Sequence, residues 1–156
     1  AAGDALADFA TNAATGVFTI TNGREFYQGN NFDNAGLVTI GAGSILQLDG
    51  DGTHSGSFTG LGTLEVLNFQ TFTGTSSISV SNVAFYANSD VGGTYVLSGS
   101  STLISGSDTT VNFTHLSNKT VGALTLQTNG TANFSGGTAD QFTVNATTSE
   151  AASETT

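Results

Sequence analysis

One short pattern recurs along the chain: an apolar residue, a polar one, a second apolar one, and then Gly, Asn or Ser. It stands at Phe18-Thr19-Ile20, Val38-Thr39-Ile40, Leu46-Gln47-Leu48, Leu64-Glu65-Val66 and Ile78-Ser79-Val80. It returns at Val111-Asn112-Phe113, Leu124-Thr125-Leu126, Ala132-Asn133-Phe134 and Phe142-Thr143-Val144. Alternation with period 2 places both apolar side chains on one face of a strand and the polar one on the other. Each segment is therefore a short strand with one buried face. Turn formers bound most of them, at Asn22-Gly23, Gly41-Ala42-Gly43, Asp49-Gly50-Asp51-Gly52, Gly92-Gly93 and Gly136-Gly137. Only residues 4–10 (DALADFA) read as helical, with Leu6 and Phe9 on one side.

Many short strands suit a sandwich, a closed barrel or a solenoid. Sandwich strands usually run to about five or six residues with compact hairpins between them. Here the strands are shorter and irregularly spaced, which suits coils turned at their corners by Gly or Asn. The chain has no Pro, in keeping with strands that must donate to neighbours on both sides. The expected fold is all-β, a right-handed parallel β-helix (β-solenoid) with a short N-terminal capping helix, and a β-sandwich is the alternative. Phe18, Ile20, Val38, Ile40, Leu46, Leu48, Leu64, Val66, Ile78, Val80, Leu124 and Leu126 are the expected core, with Thr19, Thr39, Glu65 and Thr125 outward. Residues 1–145 read as one module. Residues 146–156 contain no large apolar side chain and read as a polar linker. Ala1 opens a small, acidic stretch rather than a signal peptide, so the chain reads as a fragment of something longer.

Residues 5–50 resemble a repeat unit of very large bacterial secreted and autotransporter-like surface proteins. In those repeats an "LA-x-(L/F)-A-x-N" segment precedes "FTITNGR-x-F". An "NF-x-N-x-G-x-(L/V)-T(I/V)-G-x-GS" stretch follows, matched here by Asn31 to Ser44. Val91 to Gly99 and Thr120 to Gly137 resemble two further phrases of the same proteins. The resemblance implies a parallel β-helical passenger or stalk that is secreted or held at the cell surface. It implies no catalytic residue.

Charge narrows the function. Arg24 and Lys119 are the only permanent cations, against twelve carboxylates and a net charge of −10. Two cations cannot clamp a phosphate backbone, so nucleic acid is not an expected partner. Anionic lipid would repel the chain, and no apolar run approaches the roughly 20 residues of a membrane span. Without Cys there is no disulfide and no thiolate metal site.

The sharpest local motif is Asp49-Gly50-Asp51-Gly52, two carboxylates spaced like the opening of a calcium loop. The third ligand position and the closing Glu are missing, so an acidic turn is the expectation and no metal site is assigned. His54 and His115 lack any zinc-like spacing and read as exposed or turn-bound. A lyase on this scaffold needs cations beside its base, and Arg24 and Lys119 lie far apart in sequence. A hydrolase needs two carboxylates about 5–9 Å apart. Asp90 and Asp108 are a possible pair on adjacent coils, of a kind that scattered acids produce by chance. The expectation is no enzyme and no cofactor.

Arg24 reads as half of a surface charge pair with Glu25. The sequons at Asn112, Asn118, Asn129, Asn133 and Asn145 follow from the abundance of Asn, Ser and Thr. Thr71-Phe72-Thr73 raises ice binding, which needs a flat ladder of outward Thr-x-Thr motifs on successive coils, but the outward positions Gln47, Glu65, Ser79 and Asn112 form no such ladder. The functional expectation is a structural module of an extracellular stalk, adhesin or fibre, joined to neighbouring modules or to itself end to end. A carbohydrate-binding module is the alternative, with Tyr27, Tyr86 or Tyr95 stacking on a cell-surface glycan.

Overall fold

The computed structural model describes residues 6, 8–97, 101–134 and 142–143. The first coil holds β1 (Thr11–Asn12), β2 (Val17–Ile20) and β3 (Glu25–Gln28). The second repeats it as β4 (Asp33–Asn34), β5 (Leu37–Ile40) and β6 (Ile45–Leu48). The third holds β7 (Gly52–His54), β8 (Ser57–Thr59) and β9 (Thr63–Val66). The fourth holds β10 (Gln70–Phe72), β11 (Ser77–Ser79) and β12 (Asn82–Phe85). In the fifth the first two strands run together as β13 (Ser89–Val96), followed by β14 (Ser101–Ser105). The sixth holds β15 (Thr110–Thr120) and β16 (Ala123–Gln127), and β17 (Thr131–Asn133) and β18 (Phe142–Thr143) continue beyond it.

Every pairing among these strands is parallel and joins one coil to the next. The result is a β-solenoid of about six turns. A sandwich built from hairpins would pair its strands antiparallel, so that alternative is excluded. Three faces result. The first is β1, β4, β7 and β10, continued by the leading halves of β13 and β15 and by β17. The second is β2, β5, β8 and β11, continued by the trailing halves of β13 and β15 and by β18. The third is β3, β6, β9, β12, β14 and β16.

The alternating triplets set the register. Ile20, Val38, Ile40, Leu46, Leu48, Leu64, Val66, Ile78, Val80 and Leu124 are all buried, while Thr19 is exposed and Thr39, Glu65 and Thr125 are half-buried. Like residues thereby stack: Phe26, Leu46, Leu64 and Val83 form one inward column, and Val38, Phe58 and Ile78 another. Burying each such side chain contributes about 1.5–3 kcal/mol. Two expected core positions differ. Phe18 is half-buried, in the first coil, and Leu126 is 40% exposed, in the last strand of the third face.

No helix occurs among the described residues, which corrects the helical reading at Leu6 and over residues 8–10; residues 4, 5 and 7 lie outside the described residues. Leu6 and Asp8 lie in a turn closed by Phe9 N–H to Leu6 C=O, and Phe9 and Ala10 lead directly into β1. Phe9 still covers the first coil. Its ring packs on Phe18 (centroids 5.1 Å) and Phe32 (5.5 Å), while Leu6, its expected partner on one side, is exposed. The expected boundary at 145 and the tail 146–156 lie outside the described residues, as do Gly136-Gly137.

The turn chemistry is mixed. Asn22 and Gly23 both take positive φ (62° and 69°), the backbone that this dipeptide tolerates best. Gly92-Gly93 is not a turn between strands; it lies inside β13, where the register with β15 shifts as the strand passes from the first face to the second. Between these two faces in the earlier coils, the corner is tight. A Cβ on Gly36 would lie 2.3 Å from the Ala13 carbonyl and 2.4 Å from that of Gly16. Both contacts are with backbone, so only Gly fits there.

Candidate functional site

The first face carries an interior unlike the rest. Its short strands place Asn12, Asn34 and His54 in one inward column, each buried. Asn12 Nδ2 donates to Asn34 Oδ1 (2.8 Å) and to the Leu37 carbonyl (3.2 Å). Asn34 Nδ2 donates to the Ser57 carbonyl, and Asn34 Oδ1 also accepts from Gly36 N–H. The side-chain amides thus satisfy backbone groups that the corner removes from the ladder.

His54 ends this polar column, and the structure corrects its expected exposure: it is 0% exposed. Nδ1 accepts from Asn34 N–H (3.3 Å), and Nε2 donates to Gln70 Oε1 (2.8 Å). Gln70 in turn donates to the Gly50 carbonyl. The ring packs against Phe72, Phe58 and Phe32. Burial pushes the imidazole down to about 4, against smaller upward effects of Gln70 and Asp33. His54 is therefore a neutral core side chain at pH 7 with both ring nitrogens engaged.

Tyr95 is also fully buried, and so is no platform for a sugar. Its hydroxyl lies 2.8 Å from Thr102 Oγ1, whose own proton goes to the Val121 carbonyl (2.8 Å). Desolvation holds the phenol far above its ordinary range. Tyr95 and Thr102 tie the second face to the third.

The outer surfaces hold the remaining sequence candidates. Asp49 accepts from the Tyr27 hydroxyl of the preceding coil, while Asp51 stands exposed at the next corner. Among the described residues no group of three or more His, Asp or Glu is placed to hold a metal ion. Asp90 is in register with Asn112, not Asp108, and accepts from Asn112 Nδ2 (2.8 Å). Asn133 Nδ2 continues that ladder to Asn112 Oδ1 (3.1 Å), so two sequon residues are rungs of a surface amide column. Asn129 sits at positive φ (63°) in an exposed turn. The Arg24 guanidinium lies 5.5 Å from the Phe26 ring centroid. His115 belongs to β15 and lies in the stretch that passes between the first two faces.

Two ordered outer surfaces were not legible from single triplets. On the second face Thr19, Thr39, Thr59 and Ser79 align as a single column of hydroxyls. The column beside it runs Val17, Leu37, Ser57 and Ser77, so the surface is not a Thr-x-Thr array. On the third face Tyr27, Gln47, Glu65 and Ala84 align, and Gln47 Nε2 donates to Glu65 Oε2 (2.8 Å). Tyr27 is 54% exposed and Tyr86, just beyond β12, is 41% exposed. The twenty-residue recurrence of Thr19, Thr39 and Thr59 is the signal that a repeat-based reading would have found.

Compared with family models, with curated proteins and with solved structures, the chain matches none.

Proposed function

We propose that the chain is a non-catalytic structural module of an extracellular stalk, adhesin or surface fibre. The observation that carries this reading is the parallel ladder, about six turns long, on three faces. A stack of this kind is stiff along its axis, because each coil is hydrogen-bonded to the next, and it lengthens by adding coils without changing its cross-section. The interior supports the same reading. On the first face Asn12 and Asn34 are spent on holding corners, and the buried His54 is committed to neighbours on both sides. A net charge of −10 discourages lateral aggregation of such rods. The resemblance of residues 5–50 to bacterial surface repeats favours the same setting. Immunogold electron microscopy on intact source cells, with antibodies raised against this chain, tests it. Labelling at the outer surface without permeabilisation is expected. Labelling only after permeabilisation would overturn the extracellular assignment.

A further inference from the structure

Two exposed tyrosines, Tyr27 and Tyr86, lie on or just beyond strands of the third face. Tyr27 points outward from β3, and two residues along the strand the next outward position is Gly29. A Cβ on Gly29 would lie 2.7 Å from Tyr27 Cε1 and 3.3 Å from both Cζ and Oη. The phenol ring therefore lies down along the strand, over the bare backbone of Gly29. Its hydroxyl donates to the Asp49 carboxylate in the next coil. Fixed at both ends, with the residue 54% exposed, the ring is a platform whose rotamer freedom is already spent.

A second ring shares this surface. Backbone bonds from Asp49 N–H to Gln28 C=O, Leu67 N–H to Leu48 C=O and Tyr86 N–H to Val66 C=O align Gly29, Asp49, Leu67 and Tyr86 in one column. Tyr86 thus stands three coils from Gly29, about 14 Å at the usual strand spacing. Between the two rings, in the column beside, the half-buried Gln47–Glu65 pair uses one amide hydrogen and one carboxylate oxygen, and Gln47 Oε1 and the second Glu65 oxygen take no part in that bond. Flat rings separated by hydrogen-bonding groups match a ligand that is apolar on its ring faces and hydroxylated at its edges.

Charge selects among such ligands. The strands of this face, β3, β6, β9, β12, β14 and β16, contain no Lys or Arg; Arg24 just before β3 is set against Glu25, Asp49 and Glu65 on or beside them, and it precedes the strand at the end away from Gly29. A uronate, sialylated or sulfated chain along the strip would meet more like charge than opposite charge. We infer that the Tyr27–Tyr86 strip of the third face binds a neutral, extended oligosaccharide, with Tyr27 stacked on one sugar ring and Tyr86 on another farther along the chain. The two exposed rings stand apart with Asp49, Gln47, Glu65 and the half-buried Leu67 between them, not in the contiguous apolar patch that a protein partner buries.

The chain contains no Trp and three Tyr, and Tyr95 is buried, so changes in tyrosine fluorescence on titration report mainly Tyr27 and Tyr86. The full chain is titrated with cellohexaose, xylohexaose and β-1,4-galactohexaose, and with hexagalacturonate as the charged counterpart. Saturable binding of at least one neutral hexasaccharide is expected, with hexagalacturonate weaker than that ligand. Calorimetric titration of Tyr27→Ala and Tyr86→Ala should show that ligand weakened by roughly tenfold in each. Gly29→Ala should weaken it similarly while leaving the melting transition in place, because the added methyl displaces only the Tyr27 ring. No saturable response to any neutral hexasaccharide would overturn the inference. So would wild-type affinity in folded Tyr27→Ala, or tighter binding of hexagalacturonate.

Discussion

His54 makes the stability of this fold depend on mildly acidic pH, and the size of the effect follows from its surroundings. In the unfolded chain a histidine titrates near 6.5; in the folded coil burial holds it down to about 4. Above pH 6.5 the ring is neutral in both states and the full stability is present. Between about 6.5 and 4 the unfolded state takes up a proton that the folded state refuses, so stability falls as pH falls. At 1.36 kcal/mol per pKa unit the loss by pH 4 is about 3 kcal/mol. Protonation of Nδ1 would set N–H against the Asn34 N–H that it now accepts, in a pocket walled by Phe32, Phe58 and Phe72. Urea unfolding followed by circular dichroism at half-unit steps from pH 7.5 to 4 measures the effect. His54→Phe supplies the reference, since it retains the aromatic packing but cannot titrate. The variant is less stable at neutral pH, because Gln70 Oε1 and Asn34 N–H lose their partner, but its curve lacks the His54 component. Identical pH dependence in wild type and variant would refute the reasoning.

Three further perturbations probe separate contacts. Gly36→Ala should destabilise by about 3 kcal/mol or more, because the methyl meets two backbone carbonyls that cannot move independently; a melting temperature within error of wild type would contradict the tight corner. Thr102→Val removes the link between Tyr95 and the Val121 carbonyl and should cost about 2–4 kcal/mol, since two buried polar groups lose a partner; Tyr95→Phe, which orphans neither, should cost only about 1 kcal/mol in the same urea assay. Gln28 is 1% exposed with neither amide atom hydrogen-bonded, in the column continued by Leu48 and Val66. Gln28→Leu should therefore raise stability by about 1–2 kcal/mol, and a loss would show that the amide has a partner in solution.

How far the fold was legible depends on which face is considered. On the second and third faces the inward positions are apolar and flank a polar residue, as in Val38-Thr39-Ile40 and Leu64-Glu65-Val66, so period-2 reading placed strand and register together. On the first face it reached only the last coils, at Val111-Asn112-Phe113 and Ala132-Asn133-Phe134, and the early coils escaped it. There β1 and β4 are two residues long and turn Asn12 and Asn34 inward, and alternation of hydrophobicity cannot see a strand whose buried residue is polar. The same blindness put His54 on the surface. Its signal was spacing rather than composition: Asn12, Asn34 and His54 recur at nearly one coil length, with Gly16, Gly36 and Gly56 after them. Tyr95 was misassigned for a related reason, since sequence alone does not tell an outward phenol from one buried against Thr102. The third-face platform was half visible. Tyr27 was a candidate, but what gives it a fixed pose is Gly29 beside it and Asp49 twenty-two residues away, and only coil stacking brings that carboxylate near.

Parallel, in-register stacking of coils underlies every placement above, and disulfide trapping tests it most directly. The chain has no Cys, so introduced pairs report without background. Thr39 and Thr59 are register partners on adjacent strands of the second face, with both side chains outward. Parallel strands about 4.8 Å apart bring these Cα atoms within the roughly 4.4–6.8 Å that a disulfide spans. Thr39→Cys/Thr59→Cys should oxidise rapidly to an intramolecular disulfide, seen as a mass loss of two hydrogens and a mobility shift on non-reducing gels. Thr39→Cys/Phe58→Cys, one residue out of register, points its second thiol into the core and should remain reduced under the same oxidant. Equal oxidation of the two pairs, or preference for the second, would contradict the stacked β-solenoid.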